Sequence, residues 1–123
     1  MILVDSCGWL EYFCDGPLAE KYYSYLKNLR TVITPTIVVY EVYKKIRKEK
    51  SEESALLAVA QIKETEIIPL TESLALSAAD VSLAYTLPIA DAMVYATGKT
   101  RKAKIITSDW HFKNLENVVF IEK

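Results

Sequence analysis

Five short runs rich in β-branched residues, at 1–4, 31–33, 66–70, 104–107 and 118–121, alternate with longer segments of helical periodicity. This alternation most constrains the fold, because strands separated by crossover helices pair in parallel. Helices are expected at 6–13, 18–29, 36–50, 51–64, 71–85 and from Pro88 onward. Ser6 can cap the first, and Gly16-Pro17 breaks it. Leu18, Tyr22, Tyr25, Leu26 and Leu29 give the second an apolar face, and Pro88 suits the first position of the last. The expected class is α/β: a central, mostly parallel, twisted sheet of four or five strands with helices on both faces. With 123 residues and no repeat, low-complexity stretch or linker, residues 1–123 are expected to form a single domain.

Composition excludes several functions. Fifteen basic against sixteen acidic residues give a net charge of −1, whereas a general nucleic-acid coat would be basic. Any nucleic-acid contact must be local. Cys7, Cys14 and His111 are the only cysteines and histidine, too few for a structural zinc site. The cysteines read as small reduced core residues, and a Cys–His nucleophile built with His111 lacks a group to orient the base. No signal-peptide core and no run of membrane-spanning length occur, so a cytoplasmic protein without a membrane partner is expected.

Four carboxylates stand in apolar settings. Asp5 follows Ile2-Leu3-Val4, Glu41 interrupts Ile37-Val38-Val39-Tyr40 and Val42-Tyr43, Asp91 lies in Leu87-Pro88-Ile89-Ala90, and Asp109 follows Ile105-Ile106-Thr107-Ser108. A buried acid needs a partner, a raised pKa or a cation. Ligands of open parallel sheets bind outside the carboxyl ends of the strands. Asp5 and Asp109 follow strands, and Glu41 and Asp91 lie early in helices that begin at the same edge, so all four are expected to converge.

Taken singly, each acid has an ordinary role: Asp5 and Asp109 as helix caps, Asp91 in a first turn, Glu41 paired with Lys45. Only their conjunction points to one site, with a divalent metal as the compensating charge. Asp80, on the polar stripe of its helix with Ser73 and Ser77, is left outside it. The basic runs 44–50 and 99–102 suit helix C-termini, and among them Lys44 and Lys45, close to Glu41, are the favoured substrate-phosphate contacts. Trp9, Tyr12, Phe13, Tyr22, Tyr23, Tyr25, Leu26 and Leu29 crowd two short helices, and this surplus predicts an interaction surface and a homodimer.

These residues, Ile2-Leu3-Val4-Asp5-Ser6, 36–41, Leu87-Pro88-Ile89-Ala90-Asp91-Ala92 and Thr107-Ser108-Asp109-Trp110-His111-Phe112, together resemble a PIN domain over essentially the whole chain. Length and order are similar to the VapC-type toxins of prokaryotic toxin–antitoxin pairs. The resemblance implies a PIN-like three-layer sandwich and a metal-dependent endoribonuclease with catalytic Asp5, Glu41, Asp91 and Asp109. Asp5, Asp91 and Asp109 would hold Mg2+ or Mn2+, supported by Ser6, Thr107 and Ser108. It also implies an RNA substrate and a small antitoxin partner. Some family members carry a further acid after the last Asp, where this chain offers His111, Asn114 and Glu116. A housekeeping RNA-processing nuclease and a non-catalytic PIN-type binding module are the alternatives. Receiver, haloacid-phosphatase and dinucleotide folds are excluded by Ser6 and Cys7 after Asp5 and by a total of three glycines.

Overall fold

The computed structural model describes all 123 residues. Its chain order is β1 (Ile2–Val4), α1 (Ser6–Phe13), α2 (Ala19–Leu26), β2 (Val32–Pro35), α3 (Thr36–Glu49), α4 (Glu52–Ile62), β3 (Glu66–Ile68), α5 (Glu72–Tyr85), α6 (Ile89–Arg101), β4 (Lys104–Thr107) and β5 (Val118–Phe120). The five strands form one sheet in the order β3-β2-β1-β4-β5, every pair parallel. Right-handed crossovers put α1–α4 on one face and α5 and α6 on the other, a three-layer α/β sandwich. Leu3, Val4, Ile33, Ile105 and Ile106 are buried in the sheet, and Trp9, Tyr22, Val38, Val42, Tyr95 and Phe112 are buried in the layers around it.

Element boundaries follow local chemistry. Ser51 and Thr71 cap α4 and α5 by accepting the amides of Ser54 and Leu74. Strand β3 stops at Ile68 rather than Leu70, where Pro69 offers no N–H to the ladder. Helix α2 ends at Leu26, and a 3-10 turn at Leu29–Thr31, capped by Asn28, takes the rest of the expected helix. Pro88 is the N-cap of α6 instead of its first residue.

The aromatic surplus divides. Trp9 and Tyr22 are fully buried, Trp9 stacks on Phe13 at 5.7 Å, and Tyr23 lies against Tyr12 at 6.2 Å. The α1–α2 hairpin buries Trp9, Tyr22 and Leu26 and half-buries Tyr12, Phe13, Tyr25 and Leu29, while Tyr23 stays 53% exposed off the core face. Further exposed apolar side chains include Leu76, Leu83 and Ile89 on α5 and α6. Gly8 permits this packing: a Cβ there would overlap the Tyr22 ring and Val4. Cys14, expected in the core, is exposed as the C-cap of α1, where the helix has ended and the chain turns away. No single helix is long and apolar enough to cross a membrane.

Candidate metal centre

The chain leaves β1 toward β2 on one side and returns to β4 on the other, so a crevice opens beyond the carboxyl ends of β1 and β4. Asp5 follows β1 directly, and its N–H extends the ladder to Ile106 O at 3.0 Å. Its carboxylate accepts from the Ser6 amide at 2.8 Å and from the Thr107 hydroxyl at 2.9 Å. The same Thr107 oxygen accepts the Asp109 amide at 3.0 Å. One hydroxyl thus ties the acid after β1 to the acid after β4.

The four expected acids meet here. Asp5 is the floor, 3% exposed. Asp91, in the first turn of α6, and Asp109, after β4, rise toward the rim with side chains 15% and 28% exposed. Glu41 is half-buried on α3, and it does not pair with Lys45, which is held by Glu49 at 2.8 Å. The electrostatics show the convergence. Burial pushes the Asp5 carboxyl up against the pull of Thr107 and Ser6, and the charge of Asp109 adds to the rise. Glu41 is raised by burial and then by Asp5, with Asp109 adding and Ser6 opposing. Asp91 is pushed up to about 7, first by burial, then by Asp109 and Asp5. Three acids raised by burial and by the charges of Asp5 and Asp109 are part of a set of like charges without enough counter-charge.

His111 is the residue the sequence reading left without a role. Its Nδ1 sits 2.8 Å from Asp109 Oδ1 and 3.2 Å from Asp91 Oδ2, placed to donate into both carboxylates. Its backbone N–H also donates to Asp109 Oδ1 at 3.0 Å. The available signal was the chain's only histidine two residues after a strand-end acid, on an irregular turn where periodicity says nothing.

The supporting residues divide. Ser6 serves Asp5 through its amide and Glu41 through its side chain, and Thr107 serves Asp5 and Asp109. Ser108 turns away: its hydroxyl pairs with the buried Tyr22, and its N–H donates to Cys7 Sγ at 3.4 Å. Cys7 therefore belongs to the wall behind Asp5, 3.5 Å from Thr107 Oγ1. Lys44 is exposed, its ammonium 5.5 Å from the Tyr40 ring centre. In the second basic run, Arg101 is engaged by Glu66 in a two-pronged bond of 2.9 and 2.8 Å. Asp80 is exposed on α5.

The donor set suits a hard divalent cation. Single ligand atoms of Asp91, Asp109 and His111 lie within 4.8 Å of one another, with Asp5 beneath. A set dominated by carboxylate oxygen, with its own charges in mutual repulsion, fits Mg2+ or Mn2+.

The PIN domain family model matches residues 2–118. The chain belongs to the PIN domain family. No curated protein sequence matches it. Among solved structures, a toxin–antitoxin complex from Klebsiella pneumoniae is similar over 100% of both chains, at 20% identity and a TM-score of 0.84. VapBC2 from Rickettsia felis, bound to a DNA fragment from its promoter, is similar over 99% of this chain and 98% of that one, at 17% identity and a TM-score of 0.77. VapC20 of Mycobacterium tuberculosis, a sarcin–ricin loop cleaving toxin, is similar over 85% of each chain, at 17% identity and a TM-score of 0.72. At these identities the likeness is one of fold, and the PIN fold accounts for a sheet that gathers acids at its carboxyl edge.

Proposed function

We propose that this PIN domain is a metal-dependent endoribonuclease and the VapC-type toxin of a toxin–antitoxin pair. The observation that carries the reading is the convergence of Asp5, Glu41, Asp91 and Asp109 on one crevice, where burial and then the charges of Asp109 and Asp5 push the carboxyls of Glu41 and Asp91 up, and burial and Asp109 raise that of Asp5. A scaffold that only binds gains nothing from this repulsion, whereas a hydrolase uses it to attract a cation. Asp5, Asp91 and Asp109 would hold Mg2+ or Mn2+. Such an ion, when bound, stabilises charge on a phosphodiester oxygen and makes water a better nucleophile.

The chain's own residues do the rest. Thr107 fixes the separation of Asp5 and Asp109 by bonding to both. His111 holds Asp91 and Asp109 in one orientation from the rim. Glu41, raised by burial and restrained by Ser6, is the carboxylate positioned to accept a proton from the attacking water. Lys44, unpaired with any acid and exposed on the same helix, is the phosphate contact we retain.

The structural neighbours support the partner. One of them is a toxin–antitoxin complex by name, another is VapBC2, and a third is a toxin that cleaves the sarcin–ricin loop. By that likeness this protein is neutralised by a small antitoxin that covers the acidic crevice, in a cytoplasmic setting where RNA is the target. Self-association as a homodimer, expected from the aromatic surplus, would find exposed apolar side chains at Tyr23 and also at Leu76, Leu83 and Ile89, which are 65%, 84% and 76% exposed. The test is induced expression in a bacterial host. Growth arrest with cleaved RNA, relieved by the small open reading frame beside the gene, is expected. Arrest that persists in the Asp91→Asn protein would remove the nuclease as its cause, and the absence of arrest with intact RNA would oppose the toxin reading.

A further inference from the structure

Beside the acids an open groove of about 590 Å³ runs between Tyr85, Thr86, Pro88 and Trp110 and ends on His111. Trp110 is 72% exposed, the reverse of Trp9, which is fully buried. One face of its indole stacks on the His111 imidazole, with centroids 4.0 Å apart and planes inclined by 25°. That imidazole is the one held between Asp91 and Asp109. The exposed indole is therefore joined to the acidic centre through a single intervening ring.

We propose that Trp110 is a nucleobase platform, on which a base next to the scissile phosphodiester of single-stranded RNA stacks against the indole face turned away from His111. The inference rests on the ribonuclease reading above and names how that site holds its substrate. Net charge supplies little of the affinity: the chain is −1 overall, and without a cation the acids repel phosphate, leaving Lys44 as a single local contact. Stacking can supply it, because every base has a π-face and each aromatic partner strengthens single-strand binding by on the order of tenfold. His111, Trp110 and the base then form three planes in series. The base lies within one nucleotide of a phosphate held at the carboxylates.

An exposed tryptophan also suits a protein interface. RNA is favoured here because the groove is lined by His111, which bonds to Asp91 and Asp109, so that a scissile bond at the acids and its neighbouring base can lie together. Trp110 protrudes from a turn whose backbone is set by Asp109 and Phe112, so altering its side chain leaves those bonds in place.

The two tryptophans, one buried and one exposed, make the test direct. The Asp91→Asn protein is titrated with a single-stranded oligoribonucleotide of about eight nucleotides, following tryptophan emission and the anisotropy of labelled RNA. RNA is expected to quench the exposed tryptophan. Trp110→Leu in the same background weakens binding about tenfold and abolishes the quench, while Trp110→Phe keeps most of the affinity. With RNA carrying abasic residues the three proteins bind alike.

Binding without quenching, or unchanged affinity in Trp110→Leu, overturns the platform. An equal loss with abasic RNA also overturns it, since Trp110 would then act through His111. If Trp110→Leu keeps full RNA affinity but loses association with a second copy or a co-expressed protein, the surface is a protein contact and the inference is wrong. The ribonuclease reading fails separately: wild-type protein that binds with quenching yet leaves RNA intact in Mg2+ and Mn2+ keeps the platform and removes the nuclease. No binding by any form overturns both.

Discussion

Replacing Asp91 with asparagine is expected to make the metal-free protein more stable while ending its activity. The Asp91 carboxyl is pushed from 3.8 up to about 7, by burial first and then by Asp109 and Asp5. The folded state is thus the tighter proton binder, and ionising Asp91 costs stability. Below about pH 4 the carboxyl is protonated in both folded and unfolded states, and nothing is lost. The loss grows from about pH 4 to about pH 7 and is complete above that. The interval from 3.8 to about 7, at ~1.4 kcal/mol per pH unit, sets a ceiling of ~4 kcal/mol. Asp91 keeps 15% of its side chain in solvent and shares its repulsion with two neighbours. Half the ceiling or less, ~1–2 kcal/mol, is the expected gain for Asp91→Asn. For a domain of this size that is a Tm rise of roughly 3–8 °C in chelator at about pH 8, shrinking to nothing near pH 4. A lower Tm at about pH 8, or a gain that is the same at both pH values, would refute the reasoning.

Other substitutions probe the surroundings. Thr107→Val removes the hydroxyl that ties Asp5 to Asp109; thermal melts should show a loss of ~1–2 kcal/mol, and RNA cleavage should fall at least tenfold. An active Thr107→Val protein would mean that the two acids need no such link. Gly8→Ala drives a methyl into Tyr22 and Val4, for an expected cost of ~1–3 kcal/mol by denaturant titration. Asp80→Asn, on the exposed face of α5, should match wild type in both melting and cleavage, and a dead variant would place the site elsewhere.

Much of the architecture was legible because two periodicities separate cleanly along the chain. The β-branched runs marked all five strands, and helical spacing marked α1 to α6 to within a few residues. What sequence could not supply was strand order. The expectation that Asp5 and Asp109 emerge side by side needed β1 and β4 to be neighbours, a long-range pairing that no local signal encodes. Thr107 entered as a supporting residue only through the family resemblance, which did not separate it from Ser108; the bonds of its hydroxyl to Asp5 and to the Asp109 amide make that distinction. His111 was not legible, because its role depends on a turn that folds it back over Asp91, twenty positions upstream in α6. The aromatic surplus was legible only in part: composition counts apolar groups but cannot say how far α1 and α2 stack them on each other, which leaves Tyr23 exposed and buries Trp9 and Tyr22. Leu76 and Leu83 lie off the Leu74 and Ala78 stripe, and only the placement of α5 shows them to be bare.

The most direct test of the central claim is a divalent-metal titration of RNA cleavage by wild-type protein, run beside Asp5→Asn, Glu41→Gln, Asp91→Asn and Asp109→Asn. If the four carboxylates form one catalytic centre, wild-type cleavage rises from zero with added Mg2+ or Mn2+ and disappears with chelator. Each variant stays folded and loses at least about a hundredfold in rate, the scale of a lost catalytic group. Cleavage by wild-type protein in excess chelator, or full metal-dependent activity in Asp5→Asn and Asp91→Asn together, would contradict it.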